Sequence, residues 1–136
     1  MAQRTVSGID PNKVQSGKPS AGALDDLLPG LFVGKNSSGD VVLATFAGVP
    51  ARGVLLNDAQ LRDFRGNAVQ TNPRVSFDGE NGVRVDGFSG LVPGSTYYLS
   101  SGGGIHLASG GGAFDQEVGW ADSDTVLVLN IGPALY

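Results

Sequence analysis

The chain has no cysteine, only one histidine, and no Lys or Arg after Arg84. Without cysteine, neither a disulfide nor a thiolate metal site can form, so packing and association must stabilise the fold. A Ser–His–Asp triad would have to use His106, whose position between Ile105 and Leu107 is typical of a solvated strand face. The C-terminal part is acidic and repels nucleic acid. We therefore expect no catalytic residues, no metal site, no cofactor, no small-molecule substrate and no nucleic-acid partner.

Long apolar runs are also missing. No stretch approaches the roughly 20 apolar residues that cross a bilayer, and the N-terminus lacks the apolar core of a signal peptide. We expect no membrane partner and synthesis in the cytoplasm. In contrast, 22 glycines and 7 prolines occur among 136 residues, of which 16% are charged. This composition predicts a single turn-rich, all-β domain.

The N-terminal residues 1–23 show no periodicity and predict an extended arm ahead of a single β domain at 24–136. A frayed terminus is the alternative reading. The arm carries isolated apolar side chains and a net charge of 3 − 1 = +2 from three basic residues and Asp10. Its candidate residues for binding a partner or a neighbouring subunit are Arg4, Val6, Ile9, Lys13, Val14 and Lys18.

The last third of the chain alternates β-type runs with glycine turns. Runs at 96–99, 105–108, 117–121 and 125–131 predict a four-stranded antiparallel unit. Of the adjacent pair Tyr97 and Tyr98, one side chain must point outward, so both are candidate interface anchors. Trp120 lies on a central strand and is expected in the core.

The middle of the chain predicts further strands. The nearly continuous apolar run at 40–46 indicates a strand buried on both faces. Residues 74–78 and 83–86 alternate as a hairpin would, and their four inward side chains are predicted to be Val75, Phe77, Val83 and Val85. A helical turn is predicted at 23–28, and a short helix with Asp58 as its N-cap at 58–64.

The chain also repeats itself weakly. When residues 27–59 are laid over 91–123, ten of 33 positions are identical, including Pro29-Gly30 against Pro93-Gly94. Turn chemistry shared by glycine-rich β proteins is the alternative explanation. If the repeat is real, two similar β-meanders face each other across one core. The expected fold is therefore an all-β antiparallel sandwich or jelly-roll-like barrel with an extended N-terminal arm.

Four segments resemble the small β-rich head decoration, or cement, proteins of tailed bacteriophages. They are LPGLFV at 28–33, GVLLNDA at 53–59, PGSTYYL at 93–99 and VGWADSDTVL at 118–127. The resemblance implies a non-enzymatic protein on the outer capsid surface of the virion. Such a protein would join the expanded shell as a homo-dimer or trimer and bridge neighbouring major capsid protein subunits.

Two alternatives stay open. Some of these elements are also similar to those of phage tail and fibre modules, which would bind a host receptor or a glycan. A small hydrolase would need a cleft around His106. Charge adds one further expectation, because residues 1–84 carry 9 − 8 = +1 and residues 85–136 carry −5. Such an asymmetry can orient a protein against a partner.

Overall fold

The computed structural model describes residues 4–24, 26–107 and 112–136, with only the backbone of Ala23 and Arg62. In these ranges the regular elements are strands and one short 3-10 helix at Ala21–Ala23. The strands are β1 (Thr5–Ser7), β2 (Gln15–Gly17), β3 (Phe32–Lys35), β4 (Val41–Leu43), β5 (Gly53–Leu55), β6 (Gln60–Arg62), β7 (Ala68–Thr71), β8 (Val75–Asp78), β9 (Arg84–Asp86), β10 (Thr96–Leu99), β11 (Ile105–His106), β12 (Glu117–Ala121) and β13 (Val126–Leu129).

The strands form two large antiparallel sheets and one separate hairpin. Sheet A has the order β1-β9-β13-β12-β10-β11, and sheet B has the order β2-β8-β5-β3-β4. The hairpin β6–β7 belongs to neither sheet. The predicted all-β antiparallel sandwich is confirmed, as is the four-stranded C-terminal unit, whose strands are neighbours in sheet A.

The main core lies between the two sheets. Phe32 and Val54 of sheet B pack in one buried cluster with Val85, Leu99 and Leu127 of sheet A. Alternation along each strand directs these side chains to the inner face. Burial of apolar area at about 25 cal/mol per Å² makes this cluster the main stabilising contact between the sheets.

Sheet B is apolar on both faces. Its second buried cluster contains Leu27, Val33, Val41, Leu55, Ala59, Val75 and Phe77. The two ends of the sheet meet around this cluster, because Val41 N donates to Lys18 O at 2.8 Å and Ser20 N donates to Val41 O at 2.9 Å. Sheet B is therefore curled, and the chain just after β2 is bonded to β4 at the opposite edge.

The double burial predicted for residues 40–46 is found instead in β3 and β5, at the centre of sheet B. β4 lies at the sheet edge, where Val42 and Leu43 are only half-buried. An edge strand has one neighbour fewer to cover its side chains, so an apolar run alone does not decide its position.

The N-terminal segment is extended, but the described residues show no separate arm. β1 pairs with β9 at the edge of sheet A, and β2 pairs with β8 at the edge of sheet B. Short polar strands satisfy their backbone groups by adding to existing sheet edges, which composition alone does not reveal. Residues 4–20 thus contribute one edge strand to each of the two sheets.

The weak internal repeat corresponds to a structural repeat. The order β4-β3-β5-β8 in sheet B matches β11-β10-β12-β13 in sheet A. The β3–β4 pair Gly34 and Val42 shifts by 64 residues to the β10–β11 pair Tyr98 and His106. The two units face each other across one core, as predicted. They are not meanders, because β5 returns to the far side of β3 instead of pairing with β4.

The predicted hairpin at 74–86 is wrong. β8 belongs to sheet B, where β2 and β5 occupy both of its edges, so β9 has no edge of β8 to join. The chain crosses to sheet A, and β9 pairs with β1 and β13. The four side chains predicted to face inward are buried, but Val75 and Phe77 belong to the second cluster whereas Val83 and Val85 belong to the main core.

The predicted helix at 58–64 is also wrong. This stretch forms β6 and the turn into β7. The Asp63 carboxylate accepts hydrogen bonds from the backbone N–H of Arg65 at 2.9 Å and of Asn67 at 3.0 Å. Such a local side-chain bond competes with helix formation. The helical turn predicted at 23–28 is replaced by the 3-10 helix at Ala21–Ala23.

Some predicted features fall outside the described residues. They are Asp25 in the predicted helical turn, the end of the predicted strand at 105–108, and most of the glycine tract at 110–112. Among the residues that the structure describes, no helix is long and apolar enough to cross a membrane.

Candidate interaction surfaces

The predicted partner-binding residues at the start of the chain contact their own sheets. The Arg4 guanidinium lies 4.1 Å from the ring centroid of Phe88, and its Nη1 donates to Gly30 O at 3.0 Å. Desolvation by burial lowers the pKa of Arg4 from its ordinary value. Val6 is half-buried against the main core and pairs with Val85. Both side chains have intramolecular roles in this fold.

The other residues of this set are spread along the N-terminal segment. Ile9 and Val14 are half-buried, whereas Lys13 and Lys18 are exposed. Lys13 Nζ lies 3.8 Å from the carboxylate of Glu80, a solvent-exposed ion pair of small energetic value. The structure does not bring the six residues together into one continuous patch of free side chains.

The two tyrosines divide as strand geometry requires. Tyr97 is buried in the main core, and its hydroxyl accepts a hydrogen bond from Val92 N at 2.9 Å. Tyr98 is half-buried on the outer face of sheet A, where it pairs with His106 and Glu117. Only Tyr98 can therefore contribute to an outer surface. His106 is half-buried and packs edge-on against Phe46, with ring centroids 5.5 Å apart.

The hairpin β6–β7, residues Gln60–Thr71, is hereafter called the finger. All four residues of β7 are exposed, so neither face of this strand is covered. At the tip Phe64 is 93% exposed, and Val69 and Leu61 are 63% and 47% exposed. Three large apolar side chains in one short exposed hairpin are unusual for a surface without a partner.

The finger has an ordered tip and a buried base. Besides the two bonds to its carboxylate, Asp63 N donates to Asn67 O at 2.9 Å and closes the turn. The Arg65 guanidinium lies 5.4 Å from the Phe64 ring centroid. At the base, Asn72 N donates to Ala59 O at 2.9 Å, and Ala59 is buried in the second cluster. The finger therefore presents a preformed pair of an aromatic ring and a cation.

Trp120 defines a second exposed surface, contrary to its predicted place in the core. Its strand is central, but the bulge in the β10–β12 pairing leaves Val118 and Ala121 inward and the Trp120 side chain outward, 41% exposed. It lies in a cross-strand row between Thr96 and Val128 on the outer face of sheet A.

Carboxylates and one arginine share this face with the tryptophan. Asp122 follows the last residue of β12, two positions after Trp120, and forms an ion pair with Arg84. Asp86 is paired with Val126 one strand further, and Asp124 lies in the β12–β13 turn. This surface, hereafter the tryptophan face, comprises Arg84, Asp86, Tyr98, Glu117, Trp120, Asp122 and Asp124. Sequence reasoning found its charge but not its exposed ring.

Neither surface resembles a metal centre. Within residues 4–24, 26–107 and 112–136, no group of three or more His, Asp or Glu side chains is arranged to hold a metal ion. The finger had no signal that sequence reasoning recognised, although Asp63 followed by Gly66 and Asn67 is the chemistry of a tight turn.

Comparison with known proteins finds a similarity in fold. No family model and no curated protein matches the sequence. A solved chain of Mycobacterium phage Patience is similar in structure, with a TM-score of 0.63 and 10% sequence identity. The similarity covers 96% of this chain and 97% of that chain. At this identity the comparison shows a shared fold over nearly the full length of both chains.

Proposed function

We propose that the protein is a virion protein of a tailed bacteriophage and that it decorates the outside of the expanded head. In this role it bridges neighbouring major capsid protein subunits and strengthens the shell. The observation that carries the proposal is the near full-length likeness to a phage chain, 96% of one and 97% of the other. The sequence resemblance to head decoration proteins agrees with it. The proposal assigns no catalytic role and no cofactor.

The surface chemistry supports a binding role. The finger and the tryptophan face both expose aromatic side chains next to charged groups, the composition that dominates protein interfaces. A capsid presents many identical sites, so weak individual contacts are multiplied. Because β1 and β2 are strands of the fold, the attachment surface is proposed to lie on the folded body.

Co-sedimentation with purified heads tests this function. The protein is mixed with unexpanded and with expanded heads of its parent phage, and bound copies are counted over a range of concentrations. Saturable binding to expanded heads alone is the expected result, since expansion would create the site. Absence of binding to both kinds of head would refute the decoration role.

A second candidate function is a tail or fibre module that binds a host receptor or a glycan. The exposed Trp120 beside Asp122 favours it, because an aromatic ring with nearby carboxylates is a surface on which a sugar can stack and donate hydrogen bonds. Binding to host cells or a glycan array, lost in Trp120→Thr and combined with no affinity for heads, would select this alternative.

A further inference from the structure

We propose that the finger of one copy docks on the tryptophan face of a second copy. This inference extends the proposed function to contacts between copies. Its test uses the free protein, however, so each proposal can fail while the other stands. Both halves of the contact are visible in one chain, and they are complementary in apolar character and charge.

The finger supplies the projecting half. Phe64 at its tip is almost fully exposed, and Leu61 and Val69 extend the apolar surface along the two strands. The turn bonds to Asp63 hold the tip in one conformation before any partner arrives. A preformed element loses little conformational freedom on binding, which favours association.

The tryptophan face supplies the receiving half. It is the outer side of a six-stranded sheet, and a half-exposed indole lies at its centre. Aromatic rings pair well with another ring, and an arginine beside them adds a cation–π contact. Phe64 and Arg65 together would therefore find both an aromatic partner and carboxylates around Trp120.

The charges of the two surfaces favour a second copy of the chain as the partner. The finger, residues 60–71, contains two arginines and one aspartate, which gives 2 − 1 = +1, whereas the tryptophan face contains Arg84 and four carboxylates, which gives 1 − 4 = −3. Oppositely charged patches speed the encounter of two molecules and fix their relative orientation. A second copy therefore provides an acidic surface for the basic finger. Within a single chain, the exposed side chains of the finger and Trp120 remain accessible to it.

The two surfaces lie on different layers. The finger begins next to Ala59, which is buried in the second cluster of sheet B. The Trp120 side chain lies on the face of sheet A that points away from sheet B. A finger therefore reaches the tryptophan face of another copy. The contact joins unlike patches, so it generates a reciprocal pair, a closed ring or an open filament.

Sedimentation equilibrium of the free protein tests the contact. Wild type is compared with Phe64→Ser, Arg65→Glu and Trp120→Thr, and with Leu107→Ser as a matched control for removing an exposed apolar side chain elsewhere. All four side chains are exposed, so thermal unfolding should confirm that every variant folds. We expect wild type and Leu107→Ser to associate equally, and the other three to associate at least tenfold more weakly.

Mixing two of the variants gives the most specific test of the contact. Phe64→Ser keeps an intact tryptophan face and Trp120→Thr keeps an intact finger, so an equimolar mixture regains one productive contact per pair. We expect the mixture to associate more strongly than either variant alone. Association that weakens as salt is raised would be the corresponding sign of the charged groups.

Three results would overturn the inference. They are a wild type that stays monomeric throughout, an oligomer that persists in the finger and Trp120 variants, and a mixture that remains monomeric. If a monomeric wild type binds expanded heads and Phe64→Ser does not, the finger's partner is the capsid. The proposed function would then stand without the contact between copies.

Discussion

The side-chain amide of Gln116 binds both backbone groups of Ala51. Its Oε1 accepts from Ala51 N at 2.7 Å, and its Nε2 donates to Ala51 O at 2.9 Å and to Gly132 O at 3.0 Å. Gln116 precedes β12 of sheet A, and Ala51 precedes β5 of sheet B. One buried polar side chain therefore links the two sheets at a place where neither can supply a strand partner.

Replacing Gln116 by leucine should destabilise the protein by roughly 2–4 kcal/mol, because buried backbone groups lose their partners at about 1–3 kcal/mol each. Urea denaturation measures the change. Gln70→Leu, at an exposed position of β7, is the matched control and should cost less than about 0.5 kcal/mol. Equal stability of the two variants would contradict the bridging role of Gln116.

The repeated Pro-Gly turns predict two different costs for the same substitution. Gly30 has φ +83° and Gly94 has φ +82°, so alanine at either position costs about 1–2 kcal/mol. A Cβ on Gly94 meets open space, whereas one on Gly30 meets the Arg4 side chain. Gly30→Ala should therefore be the more damaging change by at least about 1 kcal/mol. Thermal unfolding of both variants measures this, and identical losses would contradict the contact with Arg4.

Val6 should contribute to stability as a strand residue of the fold. Val6→Ser is expected to lower the free energy of unfolding by about 1–2 kcal/mol, since half-burial against the main core is lost. Val69→Ser in the finger makes the same chemical change at an exposed site and should have little effect. Deleting residues 1–20 should likewise reduce stability. If the truncated chain keeps full stability, the N-terminal segment is a free arm and not part of the fold.

Asp63 should control order in the finger alone. Asp63→Ala removes the acceptor for the N–H groups of Arg65 and Asn67, so their amide exchange should rise roughly fivefold to tenfold, about 1 kcal/mol of local opening. Hydrogen–deuterium exchange measures this. Asp10→Ala, which removes a similar bond to Asn12 N, should leave exchange in the finger unchanged. Unchanged exchange in Asp63→Ala would mean that the tip is held by other contacts.

Local pattern predicted the C-terminal sheet well. The alternation at 96–99 and 117–121 and the intervening glycines correspond to neighbouring strands of sheet A. The weak 64-residue repeat also proved informative, because matching turns such as Pro29-Gly30 and Pro93-Gly94 occur before corresponding strands. Local prediction failed at 74–86. The alternation there is compatible with two paired strands in one sheet, and equally with two strands that belong to different sheets.

The candidate surfaces were less predictable. Trp120 was expected in the core because its strand is central, yet the bulge beside Tyr98 decides which residues point outward. A helix was predicted for the first part of the finger, whose tip is instead ordered by backbone hydrogen bonds to the Asp63 carboxylate. Sequence periodicity does not reveal such bonds. Arg4, a candidate partner-binding residue, lies over the ring of Phe88, a contact that no local pattern indicates.

The sequence by itself determined the class of fold and the charge distribution. Glycine turns, β-type runs and a nearly neutral first part ahead of an acidic last part are properties of the chain that need no long-range contact. Only the tertiary structure decided which strand edges pair, which faces are covered and which side chains remain exposed. These depend on contacts between residues far apart in the chain, such as Gln116 with Ala51, and a strand's own pattern is equally compatible with several partners.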